Sequence, residues 1–272
     1  ETMKIVAAKK PKKVMIAGGG PGGLEAAWIA AKRGHKVTLY EKQNILGGAF
    51  RIAAIPSAKT ILTSPIKYYI IQGRKFGVEY KLNTEVTAEL IAKERPDVVI
   101  LATGGVPLIP EIPGIDNPKF IKANDVLEGK AIPGYKVLVV GGGLIGAETA
   151  DFMAEHSRKV SIIEMQPDIA LDMHDVHRIH LLKRLKEFEV DRITSARVVE
   201  FLDDGVVYEK DGKKEKITGF DSIVLAMGTA SHNPLEAKIN GKVPELYVIG
   251  DAASVRQAID AIAEAAEVAC SI

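Results

Sequence analysis

A strand–turn–helix–strand unit built around three glycines constrains this chain more than any other feature. The unit spans residues 13–41. Gly18, Gly20 and Gly23 separate an apolar strand-like run from an alanine-rich helical run, and a second strand-like run ends at Glu41. The first glycine permits a sharp turn, the second lets backbone amides approach a pyrophosphate, and the third lets the helix pack closely on the sheet. This context predicts a dinucleotide-binding unit, with phosphates at the helix N-terminus and the carboxylate on ribose hydroxyls.

The same unit returns at residues 136–164, aligned without a gap at an offset of 123 positions. Gly141, Gly143, Gly146 and Glu164 take the places of the three glycines and the acid of the first unit. Two complete units at one fixed offset predict an α/β fold with two Rossmann-like dinucleotide-binding domains.

Three further apolar runs predict buried parallel strands. They are DVVILAT at 97–103, DSIVLAM at 221–227 and LYVIGD at 246–251. Asp251 ends the last run, at the strand end where open α/β sheets bind ligands, so we expect it to complete the site of the first unit. The second domain is then inserted into the first, and the proline-rich stretch at 107–118 marks the boundary between them.

The charge balance and the apolar pattern narrow the class of partner. The chain has 36 basic and 35 acidic side chains, which predicts neither nucleic acid nor an anionic membrane surface as partner. It has no apolar run of 18 residues, so we expect a soluble, cytoplasmic protein. The single cysteine, Cys270, rules out a disulfide within the chain and an iron–sulfur cluster held by this sequence alone.

Three local features give further expectations. The run at 64–76 predicts a helix capped by Thr63 or Ser64. The charged segment at 167–189 is helical in period, and the spacing of its three histidines drifts around a helix, so no metal site is predicted. Glu148, near the start of the second helical run, lies either near a nicotinamide or on an ordinary helix face.

The motifs resemble those of flavoproteins with two dinucleotide-binding domains, in which the first unit binds FAD and the second binds a nicotinamide dinucleotide. Within that group, four runs are similar to the C-terminal half of the 2,4-dienoyl-CoA reductase and 2-enoate reductase family, relatives of Old Yellow Enzyme. The runs are KKVMIAGGGPGGLEAAWIAAKRGHKVTLYEK, RPDVVILATGG, KVLVVGGGLIGAETADFMAEHSRKVSIIEM and ELYVIGDA. The likeness covers nearly the whole chain from Lys12 onward, although Ala49 stands where the family often has a polar residue.

The resemblance implies a linker at 1–12, an FAD-binding domain at 13–107 plus 240–272, and an NAD(H)-binding domain at 108–239. The residues expected to bind FAD are Gly18, Gly20, Pro21, Gly22, Gly23, Glu41, Lys42, Gly47, Gly48, Val86, Ala102, Thr103, Gly104, Gly250 and Asp251. Those expected to bind NADH are Gly141, Gly143, Leu144, Ile145, Gly146, Glu164, Met165, Met227 and Gly228. Gly47 and Gly48 are open to the alternative of an ordinary loop. No catalytic side chain and no metal are expected.

The activity that the resemblance implies is an NADH:FAD oxidoreductase module that passes a hydride from NADH to FAD. Glu164 favours NADH over NADPH, because a carboxylate there accepts the ribose 2′-hydroxyl and repels a 2′-phosphate. Family members carry an FMN barrel with an iron–sulfur cluster ahead of this module, so the chain is expected to be a fragment of a longer enzyme of this kind. Two alternatives stay open. One is a free-standing NADH dehydrogenase or ferredoxin-reductase-like protein, and the other is a non-enzymatic nucleotide-binding module with vestigial sites.

Overall fold

The computed structural model describes residues 4–272, which form two compact units. Unit 1 contains the residues up to 54 together with 58–106 and 230–272, and unit 2 contains residues 55–57 and 107–229. Residues 230–239, which the sequence places in the NAD(H)-binding domain, therefore lie in unit 1. The reason is that Leu235 and Ile239 are buried beside Met15 and Val99 of the unit 1 sheet.

Fifteen β-strands occur along the described residues. They are β1 (Lys13–Ala17), β2 (Lys36–Tyr40), β3 (Glu79–Lys81), β4 (Val98–Leu101), β5 (Gly105–Pro107), β6 (Ile121–Lys122), β7 (Lys136–Val140), β8 (Lys159–Ile163), β9 (Asp191–Ile193), β10 (Arg197–Leu202), β11 (Gly205–Lys210), β12 (Lys213–Ile217), β13 (Ser222–Leu225), β14 (Thr229–Ser231) and β15 (Glu245–Val248).

Nine α-helices accompany them over the same residues. They are α1 (Pro21–Lys32), α2 (Gly48–Ala53), α3 (Thr63–Lys75), α4 (Ala88–Glu94), α5 (Ala123–Leu127), α6 (Leu144–Glu155), α7 (Asp175–Glu187), α8 (Glu236–Ile239) and α9 (Ala258–Ser271). Short 3₁₀ helices lie at Ser57–Leu62 and Gly250–Ala252. Within residues 4–272, no helix combines the length and the apolar character that crossing a bilayer would require.

Each unit is built on a five-stranded parallel sheet. The strand order is β15-β4-β1-β2-β3 in unit 1 and β6-β13-β7-β8-β9 in unit 2, and β5 pairs with β14 in a separate two-stranded ladder. The register repeats with the sequence: Lys13 pairs with Lys36 in unit 1, and Lys136 pairs with Lys159 in unit 2. The predicted fold class, two Rossmann-like domains in an α/β fold, is confirmed.

Both sheets are buried on two faces by the alternation of side chains along their central strands. Val14 and Ile16 pack in a core with α1 and α9, whereas Met15 lies in the core on the opposite side. In unit 2 the antiparallel meander β10–β12 replaces a helix on one face, where Phe201 packs in the same core as Leu138.

The segment before β1 hydrogen-bonds to unit 1 without forming a helix or strand. The backbone N–H of Ala8 donates to the carbonyl of Arg33 at 2.8 Å, and Nε of Arg33 donates to the carbonyl of Val6 at 3.0 Å. Nη1 of the same arginine donates to the carbonyls of Ala269 at 2.6 Å and Ile272 at 2.8 Å, joining this segment to the end of α9. The first three residues of the predicted linker lie outside the described residues.

Two helix boundaries differ from the sequence-based expectation. Helix α3 follows directly from a 3₁₀ helix, so its N-cap position is Leu62, with helical φ and ψ of −65° and −12°, and neither Thr63 nor Ser64 caps it. The charged segment from 167 becomes helical only at Asp175. A non-local hydrogen bond explains why the helix starts later than predicted, because the N–H of Ala170 donates to the carbonyl of Gly142 at 2.7 Å.

Candidate functional site

The β1–α1 turn of unit 1 is closely packed on one side and open on the other. A Cβ built on Gly18, whose φ is +111°, would lie 2.2 Å from the carbonyl oxygen of Ala102, and one on Gly23 would lie 2.0 Å from the carbonyl oxygen of Gly18. A Cβ on Gly20 would meet no atom within 4 Å. Two glycines are thus required by packing, and the third leaves the backbone at the start of α1 accessible to an anion.

Glu41 follows β2 and is held by backbone groups. Its Oε2 accepts the N–H of Gly19 and its Oε1 accepts the N–H of Gln43, both at 2.8 Å, and the residue is only 8% exposed. Each carboxylate oxygen has two acceptor positions, so both can still accept a hydroxyl. The carboxylate is therefore oriented before any ligand arrives.

A cavity of about 500 Å³ extends from Glu41 across the carboxyl ends of the unit 1 strands. Its lining comprises Ala17, Gly18, Tyr40, Glu41, Lys42, Thr84, Glu85, Val86, Thr87, Ala88, Glu89, Thr103, His232, Pro234, Leu235 and Lys238. The volume suits a nucleoside-sized group. Five of these residues, Gly18, Glu41, Lys42, Val86 and Thr103, belong to the predicted FAD site, and the four from His232 onward were missed because the sequence assigns them to the other domain.

The Gly47–Gly48 loop returns to the β1–α1 turn. The N–H of Gly47 donates to the carbonyl of Gly19 at 2.8 Å, and a Cβ on Gly48 would lie 2.9 Å from the Cα of Gly20. Both glycines have positive φ, +119° and +49°. The approach of two backbones explains why this loop is built of glycine.

The segments after β4 and β15 complete the same edge of the sheet. Thr103 Oγ1 donates to the carbonyl of His232, whose own N–H donates to the carbonyl of Gly104 at 3.1 Å. A Cβ on Gly22 would lie 3.3 Å from the carbonyl oxygen of Ala261 in α9, beside Pro21 at the first position of α1. The predicted residues of the first site are thus brought together at the carboxyl end of one sheet.

Gly250 and Asp251 are fixed by a network that the sequence did not indicate. The N–H of Gly250, at φ +61°, donates to Oε2 of Glu264 at 2.8 Å, and Asp251 Oδ1 accepts the N–H of Arg256 at 3.2 Å. Arg256 also pairs with Glu264. Burial alone would raise the pKa of Glu264, but the hydrogen bonds from Arg256 and Gly250 outweigh it and lower that pKa. Glu264 therefore anchors the Gly250 backbone as an anion.

Unit 2 reproduces the turn geometry of unit 1. Cβ atoms built on Gly141 and Gly146 would lie 2.2 Å and 1.9 Å from the carbonyl oxygens of Ala226 and Gly141. Glu164, also 8% exposed, accepts the N–H groups of Gly142 at 2.5 Å and Gln166 at 2.7 Å. The second acid is therefore held in the same way as the first.

The remaining predicted residues of unit 2 lie around this turn. Leu144 and Ile145 begin α6, and Met165, 62% exposed, follows Glu164. Met227 and Gly228 follow β13, where the carbonyl of Gly228 accepts the N–H of Leu108 at 2.9 Å. All of them lie beyond the carboxyl ends of neighbouring parallel strands.

Asp172 is a residue of this region that the sequence did not single out. Its Oδ2 accepts the N–H of Leu144, the first residue of α6, at 3.1 Å, and lies 3.6 Å from a Cβ position built on Gly143. The sequence repeat could have indicated this position. Extending the gapless alignment by eight residues pairs Asp172 with Ala49 and Ala170 with Gly47.

Glu25 in α1 and Glu148 in α6 occupy equivalent positions of the repeat but differ in their burial. Glu148 in α6 is 7% exposed. Glu25 in α1 is partly buried, and its Oε2 accepts the indole N–H of Trp28 at 2.6 Å. Burial raises the pKa of Glu25, although the bond from Trp28 opposes the shift.

Replacing Glu25 with glutamine should stabilise unit 1 at pH 7. A glutamate whose pKa is raised on folding destabilises the folded protein as the pH rises above 4.5, the ordinary pKa of the side chain. Glutamine does not titrate and therefore avoids this loss of stability. We expect the melting temperature to rise by about 1–3 °C at pH 7, with the difference vanishing towards pH 4.5. Thermal unfolding of both proteins across this range measures it.

Glu94 supplies the control of opposite sign. Its pKa is lowered by a hydrogen bond from Lys13, whose Nζ lies 2.9 Å from Oε2. Glu94→Gln should therefore lower the melting temperature at pH 7 and converge with the wild type in acid. A fall in melting temperature for Glu25→Gln at pH 7 would contradict the assignment.

Comparison with known proteins places this geometry among oxidoreductases. The model of the family described as pyridine nucleotide-disulphide oxidoreductase matches residues 12–265. An NADH oxidase of Thermoanaerobacter brockii is 39% identical over 99% of this chain and 42% of its own length. A cinnamate reductase of Clostridium sporogenes is 38% identical over 97% of this chain and 40% of its own length.

A solved structure of a 2-naphthoyl-CoA reductase in complex with 2-naphthoyl-CoA superposes with a TM-score of 0.94. It is 36% identical and covers 99% of this chain, which corresponds to 41% of the reductase chain. The chain therefore spans about two fifths of the length of these relatives, and the resemblance to enoate reductase-type enzymes is confirmed.

Proposed function

Because the chain belongs to the pyridine nucleotide-disulphide oxidoreductase family, whose members bind FAD and NAD(P)H, we propose that it is an NADH:FAD oxidoreductase module. It is the electron-input part of an enzyme of the enoate or dienoyl-CoA reductase type. The observation that carries the proposal is the pair of aligned turns, each with an open helix N-terminus and a glutamate held by two backbone N–H groups.

Unit 1 is the proposed FAD site. We assign the cavity beside Glu41 to the adenosine and the open backbone at Gly20 to the pyrophosphate. The family resemblance assigns Asp251 to the ribityl chain. The support is geometric: Gly18 lines the cavity, and Gly20, two residues further along, has free space at its Cβ position and lies beside Gly48 of the Gly47–Gly48 loop. The remaining FAD contacts are the residues that the motif predicts at this edge.

Unit 2 is the proposed NADH site. Its backbone at Gly143 and Leu144 faces the pyrophosphate, and Glu164 accepts the adenosine ribose hydroxyls. The carboxylate selects NADH because a 2′-phosphate would face a negative charge that is already oriented. The carbonyl of Gly228, another residue of the proposed site, accepts the N–H of Leu108 at 2.9 Å.

The cofactor pair supplies the chemistry, namely transfer of a hydride from NADH to the flavin. The residues of the chain bind and orient the two dinucleotides, and no side chain has to exchange a proton or form a covalent bond in this step. The catalytic contribution of the protein is therefore positioning.

The proposed partner is an FMN and iron–sulfur barrel domain within a longer polypeptide. The support is that relatives named as cinnamate reductase and 2-naphthoyl-CoA reductase are more than twice as long as the matched region. The match to an NADH oxidase favours a second candidate, a module that passes electrons to another acceptor.

Anaerobic titration tests the proposal. The purified chain is incubated with FAD, freed of excess cofactor and titrated with NADH while the flavin absorbance is recorded. We expect a yellow protein that bleaches with one equivalent of NADH. A protein that stays colourless after addition of FAD would contradict it, and a yellow protein that NADH does not bleach would instead favour a vestigial nucleotide-binding module.

A further inference from the structure

A carboxylate occupies the N-terminus of α6, where unit 2 would bind phosphate. Asp172 Oδ2 accepts the N–H of Leu144 at 3.1 Å, and both carboxylate oxygens lie within 4 Å of a Cβ position on Gly143, at 3.6 and 3.9 Å. The backbone of the loop is fixed as well, since the N–H of Ala170 donates to the carbonyl of Gly142 at 2.7 Å. The side chain is exposed, so it can turn away into solvent.

The described residues at the equivalent positions of unit 1 form no counterpart of this contact. At the offset of 123 positions, Asp172 corresponds to Ala49 and Leu144 corresponds to Pro21. Proline has no N–H and the side chain of alanine has no acceptor, so neither partner of this hydrogen bond exists at the equivalent positions of unit 1. The backbone hydrogen bond of the loop is nevertheless conserved between the units, because Gly47 N–H donates to the carbonyl of Gly19 at 2.8 Å. The difference is therefore confined to the side chain at 172 and the donor at 144.

The carboxylate and a pyrophosphate would compete for the same place. Each is an anion, each is stabilised by the positive end of the helix dipole, and each needs the free N–H groups of the first turn. If both were present, like charges would stand within a few ångströms of each other.

We propose that Asp172 is an internal anion that exchanges with the phosphates of the dinucleotide at the N-terminus of α6. The inference rests on the proposed assignment of NADH to unit 2. Asp172 caps the helix in the free protein and turns away when the ligand binds, so it lowers the affinity for the dinucleotide and returns to expel the phosphates on release. Unit 1 lacks this device, in keeping with a cofactor that stays bound.

Binding measurements on Asp172→Asn test the exchange. Affinities of wild type and variant are measured by calorimetry for NADH, for ADP-ribose and for adenosine, which lacks phosphate. We expect Asp172→Asn to bind NADH and ADP-ribose roughly tenfold more tightly, the effect of one charge at a helix terminus, with adenosine unchanged. Asp116→Asn removes the same charge from another exposed position of unit 2 and should leave all three affinities unchanged.

The melting temperature of the ligand-free protein gives a second readout. Asp172→Ala removes the helix cap and should lower it by about 2–4 °C, while still binding NADH more tightly than the wild type. If Asp172 had only a structural role, Asp172→Ala would lower both the melting temperature and the affinity for NADH.

The outcomes distinguish a failure of the proposed exchange at Asp172 from a failure of the proposed NADH site. Equal or weaker NADH binding by Asp172→Asn, with a wild type that binds NADH, overturns the exchange and leaves the NADH site intact. Failure of both proteins to bind NADH or ADP-ribose overturns the proposed NADH site together with the exchange. An equal gain for adenosine would also overturn it, since adenosine carries no phosphate to compete.

Discussion

Replacing Gly23 with alanine will prevent unit 1 from packing α1 on its sheet, and the purified protein will lose FAD. The added Cβ would lie 2.0 Å from the carbonyl oxygen of Gly18 and 3.1 Å from its carbonyl carbon, so backbone must move. Overpacking of this kind costs about 3 kcal/mol or more, which corresponds to a fall in melting temperature of roughly 10 °C. Thermal unfolding and the ratio of flavin to protein absorbance measure the two effects.

Gly20→Ala is the matched variant for this prediction. Gly20 has φ −74°, which alanine adopts freely, and its Cβ would meet no protein atom within 4 Å. We expect the melting temperature without ligand to stay within about 2 °C of the wild type, while FAD retention falls because the methyl group would face the proposed pyrophosphate site. A Gly20→Ala protein that keeps FAD as well as the wild type would show that the phosphates lie elsewhere.

The parts of the fold that the sequence predicted are those in which local constraints and long-range packing agree. Gly18 and Gly141 are each required by a close contact with the carbonyl of the residue that follows the neighbouring strand, so the spacing of the glycines reflects packing between distant segments. The strand registers repeat at the same offset, Lys13 with Lys36 and Lys136 with Lys159, because the alternating apolar residues leave one pairing that buries both faces.

The parts that the sequence did not predict depend on partners far apart in the chain. Leu235 and Ile239 join the unit 1 core through contacts more than a hundred residues away, which no local pattern reveals. Glu264 anchors Gly250 from the middle of a helix, where its hydrogen bond cannot be read from periodicity. The helical period from 167 was overridden by the hydrogen bond between Ala170 and Gly142.

Replacing Glu164 with glutamine should abolish most of the proposed preference for NADH over NADPH. The substitution removes the charge that would oppose a 2′-phosphate and keeps one oxygen to accept a backbone N–H from Gly142 or Gln166. We expect the ratio of the NADH and NADPH dissociation constants to move towards NADPH by roughly tenfold or more, since repulsion between two like charges a few ångströms apart near a protein surface costs at least about 1.4 kcal/mol. Glu164→Ala should erode the preference as well, but it also leaves both N–H groups without their acceptor and destabilises unit 2.

The same substitution in the first unit provides the control, because Glu41 is held by Gly19 and Gln43 as Glu164 is held by Gly142 and Gln166. Glu41→Gln should weaken FAD binding and leave the ratio of NADH to NADPH affinity unchanged. The reverse result, a changed ratio for Glu41→Gln with none for Glu164→Gln, would mean that the two cofactors occupy the opposite units. The repeat makes the two variants a matched pair, because both carboxylates accept equivalent backbone N–H groups and each is proposed to bind a different dinucleotide.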